Sequence, residues 1–184
     1  MAIYIALLRG INVGGQKMVA MTDLRDLLTR LGFTNARSLL QSGNLLFQSK
    51  TRTSESLELL LESETEKRLG VQSFFFVRTT DEWRDIVARN PFREEAKRDP
   101  AHLVVMLLKG SAEAKDVKAL QAAITGPEII RADARRLYIV YPEGMGRSRL
   151  TNALIERKLG TRGTARNWNT VLKLDALSAD REDA

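Results

Sequence analysis

Near the C-terminus, "GMGRSRL" (144–150) sets Arg147, Ser148 and Arg149 directly ahead of a helical pattern, and "TRGTARNWNT" (161–170) sets Arg162, Arg166, Asn167, Trp168 and Asn169 ahead of another. Helix N-termini offer unpaired amide N–H groups and partial positive charge, so arginines placed there make an anion site. The bland reading of the same residues is two capped helices, with Ser148 as a cap and the arginines solvated. Trp168 would stack on a ring or base in the first reading and join the core in the second.

A second group lies in "RGINVGGQKM" (9–18), where Arg9, Asn12, Gly14, Gly15 and Lys17 follow an apolar run. Gly10 and Gly15 have the spacing of the glycines in a phosphate-binding P-loop. The match then breaks: Gln16 stands where the lysine belongs and Lys17 where the metal-binding hydroxyl belongs. Nucleotide hydrolysis needs those groups, so it is not expected here. Gly14-Gly15-Gln16 also spells the tripeptide of peptide-chain release factors, without their surrounding architecture. As shape, the segment reads as a long glycine-permitted loop between a strand and a helix. A third group, Ser42-Gly43-Asn44, presents either ligand-binding hydroxyl and amide groups or a two-residue hairpin turn.

Other chemistries are excluded by what the chain lacks. It has no cysteine, which removes disulfides, thiol nucleophiles and thiolate metal sites. His102 is the only histidine and reads as a strand residue, and no serine elbow is present. Glu55, Glu58, Glu62 and Glu66 recur at helical spacing and read as a solvated stripe. Neither a metal nor a cofactor is expected. Charge is unevenly distributed: residues 131–173 hold ten Lys or Arg against three acids, a net +7, while the rest holds 19 basic and 20 acidic residues, a net −1. Such asymmetry points to an anionic partner, nucleic acid or a small anionic ligand, or to a solvated basic face.

The elements that must position these groups follow from periodicity. "AIYIALL" (2–8) reads as a largely buried first strand; with the absence of cysteine this gives a cytoplasmic protein with no membrane partner. Leu24, Leu27, Leu28 and Leu31 stripe a helix capped by Thr22 and stopped by Gly32. "ARSLLQ" and "NLLFQS" flank the Ser42-Gly43 turn, Leu57, Leu61, Thr65 and Leu69 stripe a second helix opened by Ser54 and ended by Gly70, and "VQSFFFV" is a strand. That order, β-α-β-β-α-β, is the ferredoxin-like unit. A helix with Trp83, Ile86 and Val87 and a charged surface connector follow. "HLVVMLL", a helix striped by Val117, Leu120 and Ile124, a hairpin at Asp133-Ala134 and the helix in "SRLTNALIERKLG" then repeat the order, with a terminal helix, "NTVLKLDAL", in place of a last strand. The two halves share no obvious repeated sequence.

At "LLRGINVGG", "LQSGNLLFQS", "SRLTNALIERKLG" and "RNWNTVLKL" the chain resembles the domain-of-unknown-function family 1697, small and largely bacterial proteins. The resemblance implies a two-part α+β fold related to the ferredoxin-like plait and brings no activity. The expected architecture is α+β, two ferredoxin-like (βαββα-type) halves packed into one compact body. Residues 1–79 form a βαββαβ half, 80–100 a helix and connector, 101–177 a βαββαα half, and 178–184 a polar tail. The expected function is an anion-binding module using the C-terminal basic segment. The alternative is an enzyme acting on a small phosphorylated or carboxylated metabolite, in a pocket made by the glycine loop, the Ser42-Gly43-Asn44 turn and the arginines.

Overall fold

The structure, a computed structural model, describes residues 1–11 and 18–179. The first half runs β1 (Ala2–Leu8), α1 (Met21–Arg30), β2 (Thr34–Leu39), β3 (Asn44–Ser49), α2 (Ser54–Leu69), β4 (Phe75–Thr79) and α3 (Thr80–Ala88). After the short α4 (Arg93–Arg98) come β5 (Leu103–Leu108), α5 (Ala114–Ala122), β6 (Ile129–Asp133), β7 (Arg136–Val140), α6 (Asn152–Leu159), β8 (Gly163–Asn167) and α7 (Trp168–Ala179). Two four-stranded antiparallel sheets result, in the orders β2-β3-β1-β4 and β6-β7-β5-β8. Each order is that of a ferredoxin-like plait, in which two split βαβ crossovers interlock. The chain divides into two units, Met1–Ile86 with Leu174–Ala184, and Val87–Lys173.

Strand alternation and helix periodicity meet in each core. In the first unit Tyr4, Ala6 and Leu8 point from β1 onto Leu24 and Leu28 of α1 and Leu57 and Leu61 of α2. In the second, Val104, Met106 and Leu108 of β5 pack with Leu120, Leu137, Ile139 and Ile155. Each Val, Leu, Ile or Met side chain among them contributes roughly 1.5–3 kcal/mol by leaving water. The alternate residues of the central strands, Ile5, Leu7, Val105 and Leu107, are buried as well.

The structure corrects several local readings. Residues 163–167 form β8 instead of leading straight into a terminal helix, so the second half completes the same βαββαβ order as the first. A strand of five residues whose sequence is Gly-Thr-Ala-Arg-Asn lacks apolar alternation; pairing with β5 makes it a strand. Helix α2 opens at Ser54 as read, whereas α1 and α6 begin two and three residues from the expected caps. Ala20 precedes α1 and Thr22 lies inside it. Thr53 accepts from Ser56 N at the start of α2 and Thr151 from Leu154 N at the start of α6, so Ser148 is not a helix cap. The β2–β3 connection is four residues long, with Leu40 at φ 59° and Gly43 at φ 77°, not a two-residue turn. Part of the connector is helical as α4.

The Glu58 and Glu62 carboxylates are not solvated as a stripe. They accept the backbone N–H groups of Val77 (2.8 Å) and Phe75 (2.9 Å), and Glu82 accepts that of Thr79 (2.7 Å) while Thr79 Oγ1 accepts from Glu82 N, a capping box for α3. Three alternate donors of an edge strand are thereby closed to another chain. The second unit repeats the device at the same register. Glu62 serves Phe75, opposite Leu8, and Glu156 of α6 accepts from Gly163 N at 3.0 Å, opposite Leu108. Asn167 caps α7 from the end of β8 as Thr79 caps α3 from the end of β4. With this alignment a faint repeat becomes visible in the sequence: Leu-Leu-Arg-Gly at 7–10 and Leu-Leu-Lys-Gly at 107–110, Arg-Leu-Gly at 68–70 and Lys-Leu-Gly at 158–160.

The duplication also shows where each half departs from the minimum. The β3–α2 connection takes four residues, 50–53, whereas its counterpart between β7 and α6 takes eleven, 141–151. The β5–α5 connection takes five residues, 109–113, against twelve, 9–20, between β1 and α1. Each half thus carries one surplus loop that its plait does not need.

Candidate anion-binding site

Residues 141–151, the surplus loop of the second unit, run from the end of β7 to the start of α6 and include a single 3-10 turn at Met145–Arg147. Gly144, at φ 83°, opens that turn, and a Cβ added there would lie 3.4 Å from His102 Nε2. The loop is pinned from both sides. Tyr141, buried at its start, donates from its hydroxyl to the Leu150 carbonyl at 3.1 Å, and Leu150 N donates to Ser148 Oγ at 3.0 Å. Burial, aided by the Glu128 carboxylate, pushes the Tyr141 phenol well up, so this hydroxyl stays a protonated donor. The Ser148 hydroxyl donates to the Glu128 carboxylate, which ties the loop to the segment entering β6.

Between these segments lies a cavity of about 430 Å³. Arg147 and Arg149, both exposed, and Ser148 line one side together with Glu143. Glu128 and Pro127 approach from the α5–β6 connection, and Ile124, Leu150 and Leu154 supply apolar wall. Two arginines on a loop braced by three side-chain hydrogen bonds can bind an oxyanion by charge-assisted hydrogen bonds with little loop ordering left to lose.

The remaining residues singled out in the sequence lie elsewhere. Arg162 is exposed, pairs with Glu156 at 3.5 Å, and lines a separate cleft with Arg157 and Thr161. Arg166, on β8, donates to Thr164 Oγ1 (3.0 Å) and to the Ala165 carbonyl (2.8 Å), and burial pushes its guanidinium down to about 10. Asn167 is the α7 cap, accepting from Thr170 N at 3.0 Å. Trp168 is buried, as the core reading has it, and Asn169 is exposed. Residues 163–167 of this segment are therefore a strand that ends in the α7 cap, with Trp168 and Asn169 opening α7, and not a second arginine-bearing loop. In the first unit, Asn44 is fully buried and donates to the Leu39 carbonyl and to Ser42 Oγ, both at 2.9 Å, so this pair holds the hairpin connection together. Arg9 lines a cavity of about 720 Å³ with Glu62, Glu66 and Phe74. Asn12, Gly14, Gly15, Gln16 and Lys17 lie outside the described residues. His102, half-exposed just ahead of β5, places Nδ1 2.7 Å from the Asp99 carboxylate.

Among the described residues no group of three or more His, Cys, Asp or Glu is placed to hold a metal ion, and no helix is long and apolar enough to cross a membrane. Sequence reasoning missed Glu128, whose role needs a neighbour twenty residues away. It also missed the cavity, which no local pattern marks.

A family model described as "Protein of unknown function (DUF1697)" matches residues 1–138. That match ends just ahead of the loop at 141–151. No curated protein matches the chain. Its fold is similar to the solved structure of a conserved bacterial protein from Streptococcus pneumoniae, at a TM-score of 0.72 and 23% sequence identity, covering 96% of this chain and 98% of that one.

Proposed function

We propose, for a chain that belongs to the DUF1697 family of proteins of unknown function, that it binds an anionic ligand whose phosphate lies against Arg147 and Arg149. The observation that carries this reading is the placing of both arginines, with Ser148 between them, on a braced loop seven residues longer than its counterpart in the other half, at the edge of a cavity. The excess positive charge of residues 131–173 supports it. Arg162 and Arg166 are engaged by protein groups and take no part.

A phosphate of this kind belongs either to a nucleic acid or to a small metabolite, and salt dependence separates the two. Fluorescence anisotropy with a labelled single-stranded oligonucleotide, run from about 50 to 300 mM salt, reads a slope near −0.7 per phosphate contact. Arg147→Ala with Arg149→Ala is expected to flatten that slope by about 1.4 if a strand binds. If a small phosphate binds instead, thermal shifts with phosphorylated metabolites are abolished by the same double variant while the oligonucleotide shows no variant-sensitive slope. Equal binding of wild type and double variant to every anion tested overturns the reading.

A further inference from the structure

We infer that the cavity beside Arg147 and Arg149 takes a nucleoside monophosphate, an inference that rests on the anion reading of those two arginines. The wall carries three chemistries, and each restricts the ligand. Arg147 and Arg149 supply cationic donors for one anionic group. Glu128 and Glu143, which also line the cavity, are carboxylate acceptors suited to groups that donate, such as ribose hydroxyls or an exocyclic amine. Leu150 and Leu154, with Ile124, offer an apolar surface that needs a flat or apolar body to cover it.

Simpler ligands leave part of this wall unused or opposed. Inorganic phosphate would engage only the arginines. A polyanion threaded through the cavity would bring further phosphates to Glu128 and Glu143, where like charge repels them. A sugar phosphate would satisfy both charged groups and leave the apolar wall wet. One phosphate, several hydroxyl or amino donors and one planar body in a single small molecule answer all three. The volume of about 430 Å³ is within the roughly 300–1,000 Å³ typical of small-molecule sites.

The bracing of the loop agrees with a site of fixed shape. Ser148 Oγ accepts from Leu150 N at 3.0 Å while its hydroxyl donates to Glu128, so one serine sets both the apolar wall and one acceptor. Glu128 retains acceptor capacity after that bond, since a carboxylate offers about four acceptor sites.

Isothermal titration of the full chain tests this with adenosine and uridine 5′-monophosphates, adenosine, inorganic phosphate and a short single-stranded oligonucleotide as probes. At least one monophosphate is expected to bind tenfold or more tightly than adenosine and than inorganic phosphate. Arg147→Ala with Arg149→Ala should erase the preference over adenosine, and Leu154→Ser the preference over inorganic phosphate, with far-UV circular dichroism and Tm checking that each variant folds. The conservative pair Arg147→Lys and Arg149→Lys keeps the charge and should retain part of the affinity. Arginine-dependent binding of inorganic phosphate or oligonucleotide as tight as that of both monophosphates overturns this inference and leaves the anion reading standing. Identical titrations of wild type and the double alanine variant overturn both.

Discussion

Replacing Glu58 by alanine tests how the first sheet is closed at its β4 edge. Glu58 is 3% exposed, and its Oε1 accepts from Val77 N at 2.8 Å and lies 3.5 Å from Arg78 Nη1, on a side chain that is 6% exposed. Removing the carboxylate leaves a buried amide without that acceptor, which costs about 1–3 kcal/mol. It also removes one carboxylate beside a buried guanidinium, and breaking such a pair costs at most about 3–5 kcal/mol. The two losses overlap. Arg78 keeps its 2.7 Å bond to the Val77 carbonyl, so a total near 3 kcal/mol is expected. Against a native stability of about 5–15 kcal/mol this is large. With an m-value of about 2 kcal/mol/M, the urea midpoint followed by far-UV circular dichroism falls by roughly 1.5 M. Glu58→Gln keeps an acceptor and loses only the charge, and should fall between wild type and alanine. Glu55→Ala, exposed on the same helix, should cost less than about 1 kcal/mol. An alanine variant at position 58 that loses no more than the one at 55 would refute the closed-edge account.

Gly43→Ala should lower Tm by roughly 4–16 °C, because at φ 77° an added Cβ is strained and also meets the Leu8 and Ile11 side chains at 2.9 Å. Gly10→Ala, at φ 61° with nothing within 4 Å, should cost only the backbone strain, about 1–2 kcal/mol, in a thermal melt. Thr151→Ala should destabilise α6 by about 1 kcal/mol, whereas Ser148→Ala should leave the helix signal intact and instead free Glu128, readable as lost ligand affinity. Burial alone would raise the Asp133 carboxyl, but its bonds to Arg136 and Arg89 outweigh that and hold it below the usual carboxylate range. Its pairing therefore stabilises the fold above about pH 4 and is lost as pH falls below it, so Asp133→Asn should remove part of the acid-limb slope in a pH-dependent denaturation series.

Local sequence signals carry the element order except for β8 and α4. Leucines at helical spacing in α1 and α2, the β-rich runs of β1 and β5 and the glycines that end α2 and α6 are local signals, written within ten or so residues. The sequence by itself also marked the surplus loops, since their glycines and arginines lie between patterned segments. What it could not show is anything decided by neighbours distant in the chain. β8 has no apolar alternation and is a strand because β5 offers it a ladder. Glu58 and Glu62 have the spacing of a solvated stripe, yet an edge strand nineteen or thirteen residues on supplies donors that draw them inward. Arg166 reads as a free cation and is bound by its own strand. Asn44 reads as a ligand group and is spent holding a turn. In the candidate site, Arg147, Ser148 and Arg149 were legible as types, whereas Glu128 and the apolar wall were not. Charge and chain direction are properties of the sequence, but which groups face one another across a cavity depends on packing, and packing is set by contacts between residues far apart along the chain.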